Sequence, residues 1–276
     1  MSPSTALRRA PLRGTLLALL GAAALGAGGK PAAAQVARPE TPAAARAAQL
    51  ETRIAADSAP PGHLIRWYEP VALAGGIALI SARDQPVTDH FRAHHSGAGD
   101  DVSTALRHFG APEVYGTVTA GLLAGGLLAH DRAVTRAGLR LGASLLLAGA
   151  SAEALKLGVG RERPNENPGA YDFDPLSGHG SFPSGHTTLA FALATSLADE
   201  IHRTWATVAL YGVATGVAWS RVYDREHWLS DVAGGAAVGI GAAKLVNGRW
   251  RIGGLRPPRF LAGPRGAAIG WQLAFR

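Results

Sequence analysis

Six apolar segments separated by polar turns dominate the chain from about residue 64: 64–82, 113–130, 134–157, 187–201, 204–221 and 229–246. Alanine, leucine and glycine prevail in them, and strand-forming residues are few. The pattern predicts an all-α fold, a bundle of about six helices. The pairs Gly75-Gly76, Gly125-Gly126 and Gly234-Gly235 are expected to let helix axes approach closely. Pro86, Pro112 and the Pro164–Pro183 stretch punctuate the connections, with 83–113 read as one of them. Beyond Pro257-Pro258 the period changes: Ile269, Trp271, Leu273 and Phe275 alternate with small or polar residues after a Gly263-Pro264-Arg265-Gly266 turn, which predicts a short C-terminal hairpin.

The ends of the chain set the domain plan. Residues 1–34 read as a secretory leader, with Arg8, Arg9 and Arg13 before an apolar core from Leu16 to Ala27 and Ala32-Ala33-Ala34 at the cleavage site. Residues 35–62, rich in alanine, proline and charge, read as a flexible arm; 63–250 form the bundle and 251–276 the tail. The total of 276 residues suits one domain with a sizeable core. Net charge is +7, but Arg8, Arg9, Arg13 and Lys30 fall in the leader, and the remaining 23 basic and 20 acidic residues leave only +3. The basic balance therefore belongs mainly to an export signal, and no basic and aromatic interleaving points to nucleic acid. There is no cysteine, hence no disulfide framework and no thiolate zinc site.

Export places the bundle in the periplasm or on the periplasmic face of a membrane. The clean apolar runs reach about 12–18 residues against the ~20 that a span needs, so length leaves integral and soluble forms both open. If the segments cross, the basic turn at 130–140 and the basic tail lie in the cytoplasm, and the turns at 156–186 and 221–228 face outward. A cleaved leader puts residue 35 outside, so the segment at 64–82 is expected not to span.

Chemistry concentrates in three patches at one end of successive helices. Lys156 and Arg163-Pro164 close the third apolar segment; Pro183-Ser184-Gly185-His186 opens the fourth; Ser220-Arg221 ends the fifth, with His227 and Asp231 leading into the sixth. Ser184 stands where a helix N-cap stands, Gly185 admits a ligand close to the backbone, and His186 falls in the first turn, where free N–H groups favour an anion. His227 and Asp231, four apart, would be neighbours on a helix. The spacing by itself favours a stabilising pair; an oriented nucleophile is the second reading, and a metal site, which lacks a third ligand at a supporting spacing, the third. Lys156, Arg163 and Arg221 supply the positive charge that a phosphate needs.

Together, Lys156-x6-Arg163-Pro164, Pro183-Ser184-Gly185-His186 and Ser220-Arg221-x5-His227-x3-Asp231 resemble the three signature motifs of the type-2 phosphatidic acid phosphatase family, which shares its fold with class A acid phosphatases and vanadium haloperoxidases. The resemblance covers about 156–235 by motif and 64–246 by helix pattern. It implies catalytic roles for His227 as nucleophile, Asp231 as its orienting partner and His186 as proton donor, and phosphate binding by Lys156, Arg163, Ser184, Gly185 and Arg221. Arg161, Glu162 and Arg225 occupy variable motif positions and are left outside the site. It further implies a metal-independent phosphatase without cofactor, acting on a phosphomonoester or pyrophosphate, foremost a lipid phosphate such as phosphatidate or an isoprenoid (pyro)phosphate. The alternatives are a periplasmic acid phosphatase on soluble esters, a haloperoxidase holding vanadate at His227, and a non-catalytic scaffold. Ser177-Gly178-His179 repeats the Ser-Gly-His triplet without opening an apolar helix, which predicts a loop position for His179 at the pocket rim.

Overall fold

The computed structural model describes residues 62–166, 169–253, 258–263 and 266–270. The expected leader, the arm up to residue 61, and Trp271, Leu273 and Phe275 lie outside the described residues. The described chain is helical, with α1 (Tyr68–Ser81), α2 (Asp84–Ala93), α3 (Gly97–Phe109), α4 (Pro112–Leu128), α5 (Arg132–Val159), α6 (Gly185–Ile201), α7 (Thr204–Tyr223) and α8 (Leu229–Val246). The expected all-α bundle is present. Among the described residues the helix count is eight rather than six because 83–113 is not a plain connection. That stretch forms α2 and α3, two short helices whose apolar residues lie on one side only. Ser96 caps α3 by accepting the Gly99 N–H at 3.2 Å, and Arg107 and His108 stand in its last turn, where the helix dipole favours cations.

Helix α6 lies at the centre, packed against α5, α7 and α8. Small residues set the spacing: Ala148, Ala192 and Ala242 form one buried cluster of α5, α6 and α8. A Cβ at Gly235 would come within 2.7 Å of Ser184 O, and one at Gly239 would overlap Thr188 O, so α8 can lie this close to α6 only with glycine at both positions. Gly126 and Gly234 likewise face close neighbours, in Thr135 and the Phe182 ring. Gly75 and Gly76 do not bear out their expected packing role, because a Cβ on either would meet nothing within 4 Å.

Caps fix where the long helices stop. Asp131 accepts the N–H groups of Ala133 and Val134 at 2.8 and 3.2 Å to start α5. Gly160, left-handed at φ 57°, ends it by donating to Lys156 O at 2.8 Å, which holds Lys156 in the last turn. Residues 161–183 then cross the end of the bundle before Ser184 opens α6.

Two strand pairs complete the fold. The hairpin is β3 (Arg259–Gly263) against β4 (Gly266–Gly270), antiparallel with Gly263 opposite Gly266, as the turn sequence predicts. A pairing without forewarning joins β1 (His63–Leu64) in parallel to β2 (Trp250–Arg251) just after α8. It places the start of α1 at the end of the bundle remote from residues 161–183, while Ser81 O at the other end of α1 accepts from Tyr171 Oη at 3.2 Å. Helix α1 therefore runs in the same sense as α5 and α7.

Candidate active site

The ends of α5 and α7 and the starts of α6 and α8 meet beneath the loop 161–183, and all eight residues singled out in the sequence lie there. Ser184 is the N-cap of α6, fully buried; its Oγ accepts from Thr187 Oγ1 at 3.0 Å and its N–H donates to Asp231 O at 3.1 Å. His186 stands in the first turn of α6. Lys156 reaches across from α5 until its Nζ is 3.4 Å from the point where a Gly185 Cβ would be.

Arg221, in the last turn of α7, is buried, and its Nε and Nη1 have no hydrogen-bond partner among the described residues. A buried guanidinium with free donors is costly unless an anion completes it. The other two cations are held by carboxylates of the chain. Lys156 Nζ donates to Glu153 at 2.7 Å, and Arg163 Nη1 to Glu226 Oε2 at 2.8 Å. The same Glu226 oxygen lies 3.5 Å from Arg221 Nη2. Glu226 thus sits between the two arginines.

His227 and Asp231 do not share a helix as the spacing suggested. His227 lies in the turn after α7, where its N–H and that of Glu226 both donate to Arg221 O; Trp228 caps α8, and Asp231 occupies the first turn. Their side chains still meet, with His227 Nδ1 3.7 Å from Asp231 Oδ2. That is longer than a hydrogen bond, and Nδ1 has no hydrogen-bond partner among the described residues. Burial holds the His227 imidazole below its ordinary pKa; Asp231 opposes this, and Arg163 and Arg221 reinforce it. His186 is pushed down to about 4 by burial, then by Arg221, His227 and Lys156, with Glu226 opposing. Both rings are therefore neutral near pH 7, as a nucleophile must be.

The structure also brings in residues that sequence reasoning left out. Arg161 is almost fully buried, 2% exposed, between the rings of Phe173 and Trp228 at 5.3 and 5.2 Å. Its Nη1 donates to Asp231 Oδ1 at 2.7 Å and its Nη2 to Asp84 Oδ2 at 2.8 Å. Ser181 Oγ and the Trp228 N–H donate to Asp231 Oδ2 at 2.5 and 2.9 Å. Asp84, at the start of α2, also accepts from the Ser230 N–H and hydroxyl at 2.8 and 2.6 Å. Arg161 sits inside the first motif, so its position was a signal; Asp84 gave none, since it precedes Arg161 by 77 residues.

His179, expected at the rim, lines a cavity of about 450 Å³ together with Lys156 and Arg163, and its Nε2 is 3.4 Å from Glu162. The remaining histidines between 90 and 130 are held locally: His94 on His90 O, His95 on Asp100, His108 on Thr104 O and His130 on Leu128 O.

Against known proteins, residues 137–251 match the family model described as PAP2 superfamily, a span from the first turns of α5 through β2 that contains every one of the eight site residues. Over this span the chain is similar to the PAP2 superfamily. The PAP2 helices resemble a lipid A 1-phosphatase of Porphyromonas gingivalis, 44% identical over 90 residues, which make up 30% of this chain and 20% of that protein. They also resemble the Escherichia coli protein YbjG, named provisionally as an undecaprenyl-diphosphatase, at 31% identity over 115 residues, 42% of this chain and 56% of that one. The chain thus spans between a fifth and just over half of these relatives. Its fold is similar to the crystal structure of a transmembrane PAP2-type phosphatidylglycerolphosphate phosphatase from Bacillus subtilis, with a TM-score of 0.50 and 25% identity over 66% of this chain and 95% of that one. That likeness extends the PAP2 fold beyond the matched span into the preceding helices.

Proposed function

We propose that the chain is a phosphatase that hydrolyses a lipid phosphate through a phosphohistidine at His227. The observation that carries this reading is the buried, neutral His227, which lies beside Asp231 and close to a buried Arg221 whose Nε and Nη1 make no hydrogen bond among the described residues. In the first step His227 Nε2 attacks phosphorus, the P–O bond to the leaving group breaks, and His186 gives the departing oxygen its proton. In the second, His186 takes a proton from water, the hydroxide attacks phosphorus, the P–N bond breaks, and phosphate leaves. Lys156, Arg163, Arg221 and the α6 N-terminus hold the three non-bridging oxygens and offset the charge that builds on them.

His186 must be protonated to act as the acid, yet it is pushed down to about 4 by burial and by surrounding cations. A dianionic phosphoryl group among those cations offsets their charge and lets the ring take up a proton as substrate binds. The acid is then loaded by the substrate it serves.

Lipid rather than soluble ester is favoured by the surface. Helix α1 is apolar between Glu69 in its first turn and Ser81 at its end yet buries no residue: Val71 and Leu79 are exposed, as is Trp67 at its N-terminus, and Leu128, Leu146 and Val208 are exposed apolar residues of α4, α5 and α7. Helices α5 and α8 are long and apolar enough to cross a membrane by length and composition. Similarity to proteins named for lipid A and undecaprenyl diphosphate points the same way. The site would face the exported side of the membrane. Phosphate release from a prenyl diphosphate, phosphatidate and an aryl phosphate, measured in membrane and soluble fractions, tests the reading. The lipids should be preferred, with activity in the membrane fraction; preference for the aryl phosphate by a soluble protein would favour the acid-phosphatase alternative.

A further inference from the structure

The buried charges beneath the site exceed what helix packing needs. Two carboxylates, Asp84 and Asp231, are fully buried and share one guanidinium, Arg161. Burying an ion pair rarely gains stability over apolar packing, and burying a third charge leaves the group with a surplus negative charge in a low dielectric. The surplus lies against His227, whose Nδ1 is 3.7 Å from Asp231.

The arrangement also has one geometric outcome. Asp231 Oδ1 is engaged by Arg161, while Oδ2 takes the Ser181 hydroxyl and the Trp228 N–H, so the carboxylate cannot rotate away from the imidazole. Arg161 is fixed in turn by Asp84, by Ala170 O, and by the rings of Phe173 and Trp228, the residue next to His227. Asp84 ties the far end to the first turn of α8 through Ser230.

We propose that Asp84 and Arg161 are positioning residues for the reaction: with Asp231 they form a buried carboxylate–guanidinium–carboxylate chain that aims Asp231 and sets the proton affinity of His227. This rests on reading His227 as the nucleophile. Asp84 supplies the second negative charge, which keeps Arg161 from neutralising Asp231 outright. The other charged or titratable groups around the two site histidines are Arg163 from the loop after α5, Arg221 from α7, His186 from α6, Lys156 from α5 and Glu226 from the turn before His227. Among the described residues no hydrogen bond or ion pair joins any of them to Arg161 or Asp84, so the pair reaches His227 through Asp231 and not through the lysine and arginines of the phosphate clamp.

The sign follows from the charges. Asp84→Asn removes a negative charge, disfavours the imidazolium and lowers the pKa of His227; Arg161→Gln removes a positive charge and raises it. A unit charge about 10 Å away at an effective dielectric near 20 shifts a pKa by roughly one unit. The double variant should return close to the parent, and Arg161→Lys, which keeps the charge, should stay near it.

The experiment is to record the acid limb of kcat/KM on an aryl phosphate and the imidazole nitrogen NMR shifts of His227, assigned with His227→Gln, for the purified full chain and these variants. The account expects D84N to move the acid limb and the His227 titration to lower pH and R161Q to move both to higher pH. A purely structural role would lower the melting temperature of each variant without opposite shifts. Unmoved titrations, or shifts in one direction for both, overturn the proposal. If R161Q does not fold, D84N against R161K decides, a shift in the first alone being the supporting result. A parent chain without turnover whose variants still shift the His227 resonances in opposite directions would refute the phosphatase reading and uphold the charge chain.

Discussion

Glu226 provides a direct handle on the phosphate site, because it stands where an anionic ligand would have to go. Its carboxylate accepts from Arg163 at 2.8 Å and lies 3.5 Å from Arg221, whose Nε and Nη1 make no hydrogen bond among the described residues, Nη1 lying 3.8 Å from Asp224. Phosphate entering the clamp must displace this carboxylate or share the arginines with it. Glu226→Gln keeps the shape and removes the charge. Arg163 and Glu226 are about a third exposed, at 35% and 29%, so solvent screens the pair and its worth is about 1 kcal/mol. Removing it should therefore tighten phosphate binding by about fivefold. Competitive inhibition by inorganic phosphate, followed with an aryl phosphate at fixed ionic strength, measures this directly, and the gain should shrink as salt is raised. An unchanged or weaker inhibition constant would show that Glu226 supports the arginines instead of competing for them, and the reasoning would fail.

Two further outcomes concern stability. Gly239→Ala drives a Cβ into Thr188 O and should cost about 1–3 kcal/mol, seen as a melting temperature lower by several degrees, whereas Gly76→Ala, with open space around it, should be neutral or stabilising. His186 has its folded pKa below its unfolded one, so the unfolded chain binds more protons between about 4 and 6.5. The stability this residue contributes is fully present above pH 6.5 and is lost as pH falls toward 4. A pH series of melting temperatures should accordingly be flatter in that window for His186→Gln than for the parent.

The long helices were legible because each carries an apolar run bounded by turn residues, and six of the eight fall within a few residues of the expected spans. Helices α2 and α3 were not, since Asp-Gln-Pro-Val-Thr-Asp-His-Phe-Arg-Ala and its successor hold too few apolar residues to register against polar neighbours. The gathering of the singled-out residues at one end of the bundle was legible, because the ends of α5 and α7 and the starts of α6 and α8 fall together in an antiparallel bundle, whereas spacing left the roles of His227 and Asp231 open until the three motifs were taken together. What spacing cannot carry is pairing across the fold. The parallel contact of His63–Leu64 with Trp250–Arg251 and the Asp84–Arg161 pair each depend on which helix ends meet in space. Helical spacing also misplaced His227, because the chain turns at Arg225, left-handed at φ 57°, and α8 begins only after Trp228.

The central claim is covalent: phosphate passes through His227. Incubating the chain with a labelled aryl phosphate, quenching in base and locating the label by peptide mass spectrometry tests it most directly. The account predicts an acid-labile phosphoryl group on His227, absent from His227→Ala, which should also lose turnover. Label on another residue, or full turnover in that variant, would contradict it.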